Sequence, residues 1–504
     1  MSLTRLIRPY FDRYHKKVAL LEEDADNQQR QLLKRMTALA APTLWGREHG
    51  YDGLRDYEDF ARAVPVSTYE EMKGYIDRMR HGEADVLWPG RVRCFAKSSG
   101  TTNDKSKFLP VSRQALQDTH YAGGKDCVAY YFHEHPGSRM FDGKSLILGG
   151  SHEANYGKHD SLVGDLSAIL IENILPLANL TRVPRKATAL LSDFETKRDR
   201  IARETFRQNV TNLSGVPSWM LSVLNRVLEV SGKPCISDVW PNLEVFFHGG
   251  VAFTPYRDAY REIIPTDSMH YMETYNASEG FFALQTQPDD SAMQLMTHYG
   301  VFYEFIPLEE VGSACPEAVP LWGVECGRNY AMVISTTSGL WRYMIGDTVR
   351  FTSLAPYKIV ITGRTKSFIN AFGEELIVDN AEHGLAEACR ATGAEISEYT
   401  AAPIFMDKNA KCCHQWLIEF SHAPESIGEF AQVLDESLQR INSDYEAKRS
   451  KNITLQPLEI IVARPHLFND WLKAEGKLGG QHKVPRLSND RKIIDKILQL
   501  NDVE

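Results

Sequence analysis

From Pro89 onward, short β-branched or aromatic runs alternate with helical patterns: VRCFAKSS, SLILGG, LEVFFHGG, MHYMETYNAS and YAMVISTT. Strands separated by helices constrain this body to an α/β fold with at least partly parallel sheets. Ligands of such sheets sit beyond the carboxyl ends of the strands. The polar motifs each follow one of these runs, so they are expected to converge on one cleft. Ahead of the body, apolar residues recur at helical spacing from Arg5 to about Ala41, and Ser67 and Glu70 read as a capping-box start to another helix. A boundary is expected near Gly363 to Phe372, giving a large domain over 1–364 and a small α+β domain over 365–504, with strands QWLIEF and LEIIVA and a helix around Phe430 to Lys448.

With 504 residues, 43% of them hydrophobic and 24% charged, the chain can bury a large core and divide into more than one domain. A formal net charge of -9 with no long Lys/Arg block argues against a nucleic-acid partner. None of the eight cysteines forms a CxxC pair, so neither zinc nor a disulfide framework is implied. Cys412, Cys413 and His414 lie in a strand-like segment with no second cluster of ligands, and the cysteines read as buried or half-buried reduced thiols ahead of a metal site. The opening segment carries charges every few residues, with no signal-peptide core and no membrane span, and a cytoplasmic location is expected.

The strongest local signal is the loop Ser98-Ser99-Gly100-Thr101-Thr102-Asn103-Asp104-Lys105-Ser106-Lys107. Its hydroxyls and backbone N–H groups can wrap a polyphosphate, and Lys105 and Lys107 can neutralise it. Gly143-Lys144-Ser145 is no Walker loop, because Ser138 stands where that pattern needs glycine. Gly249-Gly250 lets a flat base lie against the backbone, and Glu279 in Glu273–Gly280 can hold a Mg²⁺ that bridges phosphates. Asp347, closing TTSGLWRYMIGD, is suited to accept ribose hydroxyls, and Arg364 to pair with phosphate or a carboxylate. Lys483, in GGQHKVPR, can stabilise charge on an α-phosphate as pyrophosphate leaves, although an exposed tail loop is the plainer reading.

Taken in order, SSGTTNDKSK, ETYNASEG, STTSGLWRYMIGD, the Gly-Arg pair and QHKVPR resemble the acyl acid-amido synthetases known as auxin-responsive promoter proteins, a family of the adenylate-forming superfamily. The resemblance covers nearly the whole chain. It implies a large amino-terminal adenylate-forming domain and a small mobile α+β carboxy-terminal domain, with ATP and Mg²⁺ as cofactors. Carried over by position, it implies that Ser98 to Thr102 hold phosphate, that Tyr275, Asn276, Ala277 and Ser278 line the adenine and acyl carboxylate region, that Glu279 binds the metal, and that Asp347 binds ribose. Lys105, Glu279 and Lys483 are the expected catalytic residues, and Lys107, Gly249, Gly250 and Arg364 join the nucleotide set. The expected partners are a small carboxylic acid and an amine or amino acid, met by a monomer with no membrane and no nucleic acid. YNASEG departs from the usual YxSSE, and YMIGD from YRMGD, with Arg342 standing one place ahead of Tyr343. An acyl-CoA ligase and a non-catalytic nucleotide-binding protein remain the alternatives. The stripe Leu162 to Leu180 reads as ordinary core ahead of acyl pocket.

Overall fold

The β-branched runs form strands, and their hydrogen-bonded order explains where the polar motifs fall. In chain order the strands are β1 (Cys94–Ser98), β2 (Lys107–Val111), β3 (Lys144–Ile147), β4 (Leu162–Gly164), β5 (Arg182–Val183), β6 (Val210–Gly215), β7 (Val245–Gly249), β8 (His270–Ala277), β9 (Gly280–Leu284) and β10 (Met293–Leu295). They continue with β11 (Val301–Pro307), β12 (Val319–Pro320), β13 (Asn329–Thr336), β14 (Tyr343–Leu354), β15 (Tyr357–Arg364), β16 (Phe368–Ile369), β17 (Leu376–Ile377), β18 (Glu395–Ile404), β19 (Cys413–His422) and β20 (Glu459–Val462). The computed structural model describes residues 2–98, 107–152, 161–174, 176–250, 253, 256–288, 290–313, 316–365, 368–369, 376–404, 413–442, 445–446, 449, 455–476, 483–488 and 490–501. Two compact units emerge: Met1–Arg328 with Met332–Ile345 and Phe351–Val360, and Asn329–Ala331 with Gly346–Arg350 and Ile361–Glu504.

In the first unit, β8, β7, β6, β3 and β5 lie side by side and parallel, as βαβ connections require. Helices Phe194–Thr205 and Pro217–Ser231 contribute Ile201, Met220 and Leu224 to a core against Leu213 and Phe246. The latter helix carries Pro217 at its start and ends at Gly232, whose φ of 67° suits the left-handed cap. Helix Ala122–Glu134 packs Tyr131 and Phe132 with Val245 and Met272. A separate small sheet runs β2-β1-β4, with β1 antiparallel to β2 and parallel to β4. The stripe Leu162 to Leu180 supplies its floor: Leu166 and Ile169 join Ala96, Val111 and Leu116 in one buried cluster, which is the core reading.

A buried ion pair ties the helical opening to the sheets. Glu304 on β11 is wholly buried and is gripped by Arg342, whose Nε lies 3.0 and 3.1 Å from its two carboxylate oxygens. Arg342 also donates to the carbonyls of Ala61 (2.8 Å) and Val64 (2.7 Å), and Tyr57 donates to Glu304 (2.9 Å). Ser67 is spent on Trp341, donating to its carbonyl at 3.0 Å, so the next helix (Tyr69–Arg80) starts one residue later than the sequence suggests. Thr68 is its cap, with its N–H bound to Glu71 at 2.6 Å. A second buried cluster sets His298 between Glu22 (2.5 Å) and Asp126 (3.1 Å).

The second unit contains the α+β arrangement anticipated from its strand and helix patterns. β18 pairs antiparallel with β19, and β20 parallel with β19. Trp416 and Ile418 pack with Phe430, Leu434 and Leu438 of helix Ile427–Ile441, while the intervening Leu417 packs with Leu467, Trp471 and Ile494 of helices Leu467–Ala474 and Lys492–Asn501. Period-2 alternation thus gives one central strand two buried faces. Cys413 and His414 are buried in β19. No described helix is long and apolar enough to cross a membrane.

Arg342→Met leaves the Glu304 carboxylate buried and unpaired, and denaturant unfolding should show a loss of about 3–5 kcal/mol, much of it restored by adding Glu304→Leu. Burial alone would lower the His298 pKa, but its hydrogen bonds to the Asp126 and Glu22 carboxylates and their charges raise it from 6.5 to about 9. Because the folded state holds that proton more tightly, the stabilisation is complete below pH 6.5 and is lost as pH rises through 9. Unfolding midpoints measured across that window should fall for the wild type, with this component absent from His298→Gln.

Candidate active site

The carboxyl ends of the parallel strands share one chemical character. β3 is followed by Gly149-Gly150, β6 ends in Gly215, β7 ends in Gly249 and continues to Gly250, and β8 is followed by the Ser278-Glu279 turn. A Cβ on Gly249 would stand 2.2 Å from the carbonyl oxygen of Thr274 on the paired strand, and Gly250 has a φ of 83°. Glycine at these ends is required by close packing within the protein, since a Cβ on Gly149 would meet Ile171, one on Gly150 Asp165, and one on Gly215 Leu148. Ser278 and Glu279 form the two-residue tip of the β8–β9 hairpin, where Ala277 pairs with Gly280. Ser278 is buried and Glu279 half-buried. Tyr275 is buried edge-to-face against Phe282 at 4.9 Å, and Asn276 and Ala277 are half-buried.

The phosphate-loop candidate hangs on the small sheet. Ser98 ends β1 and pairs with Lys107, which begins β2, so Ser99, Gly100, Thr101, Thr102 and Lys105 fall in the hairpin connection; residues 99–106 lie outside the described residues. The small sheet joins the parallel edge through Asp165, the residue after β4, which accepts from the Ser151 N–H at 2.8 Å, and through a bridge between His152 and Gly164. Beneath this junction the ammonium of buried Lys197 donates to the carbonyls of Gly149 (2.8 Å) and Gly150 (3.0 Å). Burial lowers its pKa to about 8, with Asp165 opposing. No sequence signal distinguished Lys197 from the other charges of its helix, because its role depends on a tertiary contact 47 residues away.

In the TTSGLWRYMIGD motif two halves do different work. Ser112 donates to the Thr337 carbonyl (2.7 Å), Trp341 to the Leu87 carbonyl (3.0 Å), and Arg342 is consumed by Glu304, so the first half is buried scaffold. Asp347, after Gly346 at φ 90°, is partly exposed and is held by Arg364 at 2.8 Å. Lys483 belongs to the same unit and lies within electrostatic reach of both. The segment after it is strapped to β18: Thr400 donates to the Pro485 carbonyl (2.6 Å), Ala401 N–H to the Arg486 carbonyl (2.8 Å), and Arg486 pairs with Glu398 and lies 4.6 Å over the Tyr399 ring. The described segment Lys483–Arg486 is thus anchored where the plainer reading had a free tail. The Lys483 side chain is exposed, yet protein crowds its ammonium. That desolvation, then the like charge of Arg364, lower its pKa to about 8 against the pull of Asp347. Exposure weakens the desolvation contribution, whereas the Arg364 repulsion acts in the same downward direction whatever the degree of burial.

A body built on a parallel sheet, together with a small α+β unit, is a fold shared with adenylate-forming ligases. 2-Hydroxyisobutyryl-CoA ligase, in its postadenylation state, superposes with a TM-score of 0.57 at 12% identity over 98% of this chain and 92% of that one. The GH3.15 acyl acid amido synthetase superposes with a TM-score of 0.79 at 18% identity over 96% and 95%. The chain belongs to the GH3 family: residues 14–269 match its N-terminal domain, 294–364 its central domain and 379–492 its C-terminal domain. Among curated relatives, an indole-3-acetic acid-amido synthetase of Oryza sativa subsp. indica is 25% identical over 92% of this chain and 88% of its own length. A probable indole-3-acetic acid-amido synthetase of Arabidopsis thaliana is 24% identical over 97% and 94%.

A methyl group at position 249 tests this close packing. Gly249→Ala forces its Cβ against the Thr274 carbonyl, and thermal unfolding should show a loss of about 1–3 kcal/mol.

Proposed function

We propose that this chain is an ATP-dependent ligase that activates a small carboxylic acid as its acyl-adenylate and transfers the acyl group to an amine, an amino acid in the simplest case. The observation that carries the reading is the meeting of Asp347, Arg364 and Lys483, drawn from three distant stretches of sequence: a carboxylate held in place, with a lysine beside it. The names of the GH3 relatives, all amido synthetases, support the amide-forming second half.

In the first step an oxygen of the substrate carboxylate bonds to the α-phosphorus of ATP, and the bond to the β-phosphate oxygen breaks, releasing pyrophosphate. The reaction needs in-line positioning and neutralisation of charge, and no covalent bond to the enzyme. The Ser98–Thr102 loop with Lys105 and Lys107 would hold the phosphates, and Gly249, Gly250 and Tyr275 to Ser278 the adenine and acyl carboxylate. Asp347, oriented by Arg364, would accept the ribose hydroxyls, and Lys483 as ammonium would stabilise the α-phosphate. Among the described residues no group of three His, Cys, Asp or Glu side chains could hold a metal alone. A Mg²⁺ shared with phosphates needs only one or two carboxylates, and half-buried Glu279 at its hairpin tip fits that demand. The ion would supply charge neutralisation on the polyphosphate. In the second step the amine nitrogen attacks the acyl carbon, loses its proton and displaces AMP.

The test is pyrophosphate release from Mg-ATP across aromatic, fatty and hydroxy acids, with and without amino acids or coenzyme A. Release that depends on an acid and on an amino acid, with amide and AMP as products, is the expected result. Thioester formation instead would make the chain an acyl-CoA ligase, and ATP binding without release would make it a non-catalytic binder. With Lys483 acting as the cation at pKa about 8, the adenylation rate should fall as pH rises through 8, and Lys483→Arg should move that fall to higher pH.

A further inference from the structure

Helix Tyr69–Arg80 holds the start of β2 with its first and last residues. β2 is an edge strand of the small sheet, so alternate N–H groups along it point away from β1. Phe108 and Pro110 occupy these outward positions, and proline carries no donor. The Phe108 N–H is therefore the one outward donor between Lys107 and Val111, and the Tyr69 hydroxyl accepts it at 3.0 Å. Tyr69 is 6% exposed, and its ring faces the neighbouring residue as well: the Lys107 ammonium lies 5.8 Å from the ring centroid. At the far end of the helix the Arg80 guanidinium lies 3.7 Å over the Phe108 ring, steadied by Asp77 at 3.2 Å. An aliphatic residue at position 69 would fill the space and make neither polar contact. Tyr69 spends its hydroxyl on one residue of the strand and its face on the residue before it.

Resting on the ligase reading above, in which Lys107 is a phosphate cation, we infer that Tyr69 is a positioning residue for ATP, fixing Lys107 before the nucleotide arrives. A lysine side chain loses much rotamer freedom when it is ordered, and ordering it only on binding would weaken affinity. An aromatic face orders an ammonium without neutralising it, whereas a carboxylate would answer its charge. Burial raises the Tyr69 pKa, with the Phe108 N–H opposing, so the phenol is neutral at physiological pH. The hydroxyl sets the register. Side chains alternate with period two, so a slip of β2 by one residue along the helix would turn Lys107 to the opposite face of the small sheet. Ring and hydroxyl thus act on one lysine by two routes.

The experiment measures the Kd of the full chain for Mg-ATP by calorimetry, with the melting temperature of each variant as the check on folding. Tyr69→Phe keeps the ring and removes the acceptor, and should raise Kd about fivefold. Tyr69→Leu removes both contacts and should raise it about 20-fold. In a Lys107→Met background the same two substitutions should each change Kd by less than about twofold, because the residue through which they act is gone. Tyr69→Phe is nearly isosteric, so it carries the test if Tyr69→Leu does not fold. A folded Tyr69→Phe whose Kd stays within about twofold of the wild type overturns the inference, as do equal effects with and without Lys107 or an unchanged Kd for Lys107→Met. Failure of the wild-type chain to bind Mg-ATP overturns this inference and the ligase reading together. Binding without acid-dependent pyrophosphate release removes the ligase reading alone.

Discussion

The buried pairing of Glu304 with Arg342 is the constraint on which the site-bearing strands depend. Arg342 adopts a φ of 43°, a left-handed conformation that costs a non-glycine residue about 1–3 kcal/mol. It persists because every direction in which the guanidinium points is occupied: Glu304 on β11 and the carbonyls of Ala61 and Val64 from the helical opening. The buried charge costs desolvation in its turn, and burial pushes the Glu304 carboxyl up while Arg342 opposes. Two well-packed apolar residues would stabilise the same volume as well or better. What the ion pair adds is position: it fixes the chain where β14 begins, four residues before Gly346 turns out to Asp347.

A different economy governs the parallel edge. Four neighbouring strands end in glycine or in a tight polar turn, and at three of these ends the space of a missing Cβ is taken by Ile171, Asp165 or Leu148. A Gly-Gly turn fixes little by itself and has to be held by its neighbours. The Lys197 ammonium clamps one such turn through two carbonyls, and Asp165 bonds the next N–H. These contacts fix the turn after β3 through groups drawn from other parts of the chain.

The sequence made the alternation legible because period and turn chemistry are local. It marked the strands ending in Gly149-Gly150, Gly249-Gly250 and Ser278-Glu279, the small α+β unit, and Asp347 and Arg364, which the structure joins at 2.8 Å. Ser67 misled because its capping pattern is local while its actual partner, Trp341, is 274 residues away. For the same reason the anchoring of the Lys483 loop to β18 and the burial of Arg342 could not be read from neighbouring letters.

The net charge of -9 and a site for a triphosphate are compatible once the cations are followed individually. Of the arginines, Arg342 and Arg449 are buried in ion pairs with Glu304 and Asp435, and many others pair with carboxylates at the surface. Such cations contribute little to capturing an anion, since their charge is already answered. Lys483 differs: its ammonium lies within reach of the like charge of Arg364, with Asp347 opposing. On the ligase reading proposed above, cations grouped within a few ångströms act on a ligand of nucleotide size, whereas the acidic field of the whole surface opposes a polyanion of nucleic-acid size.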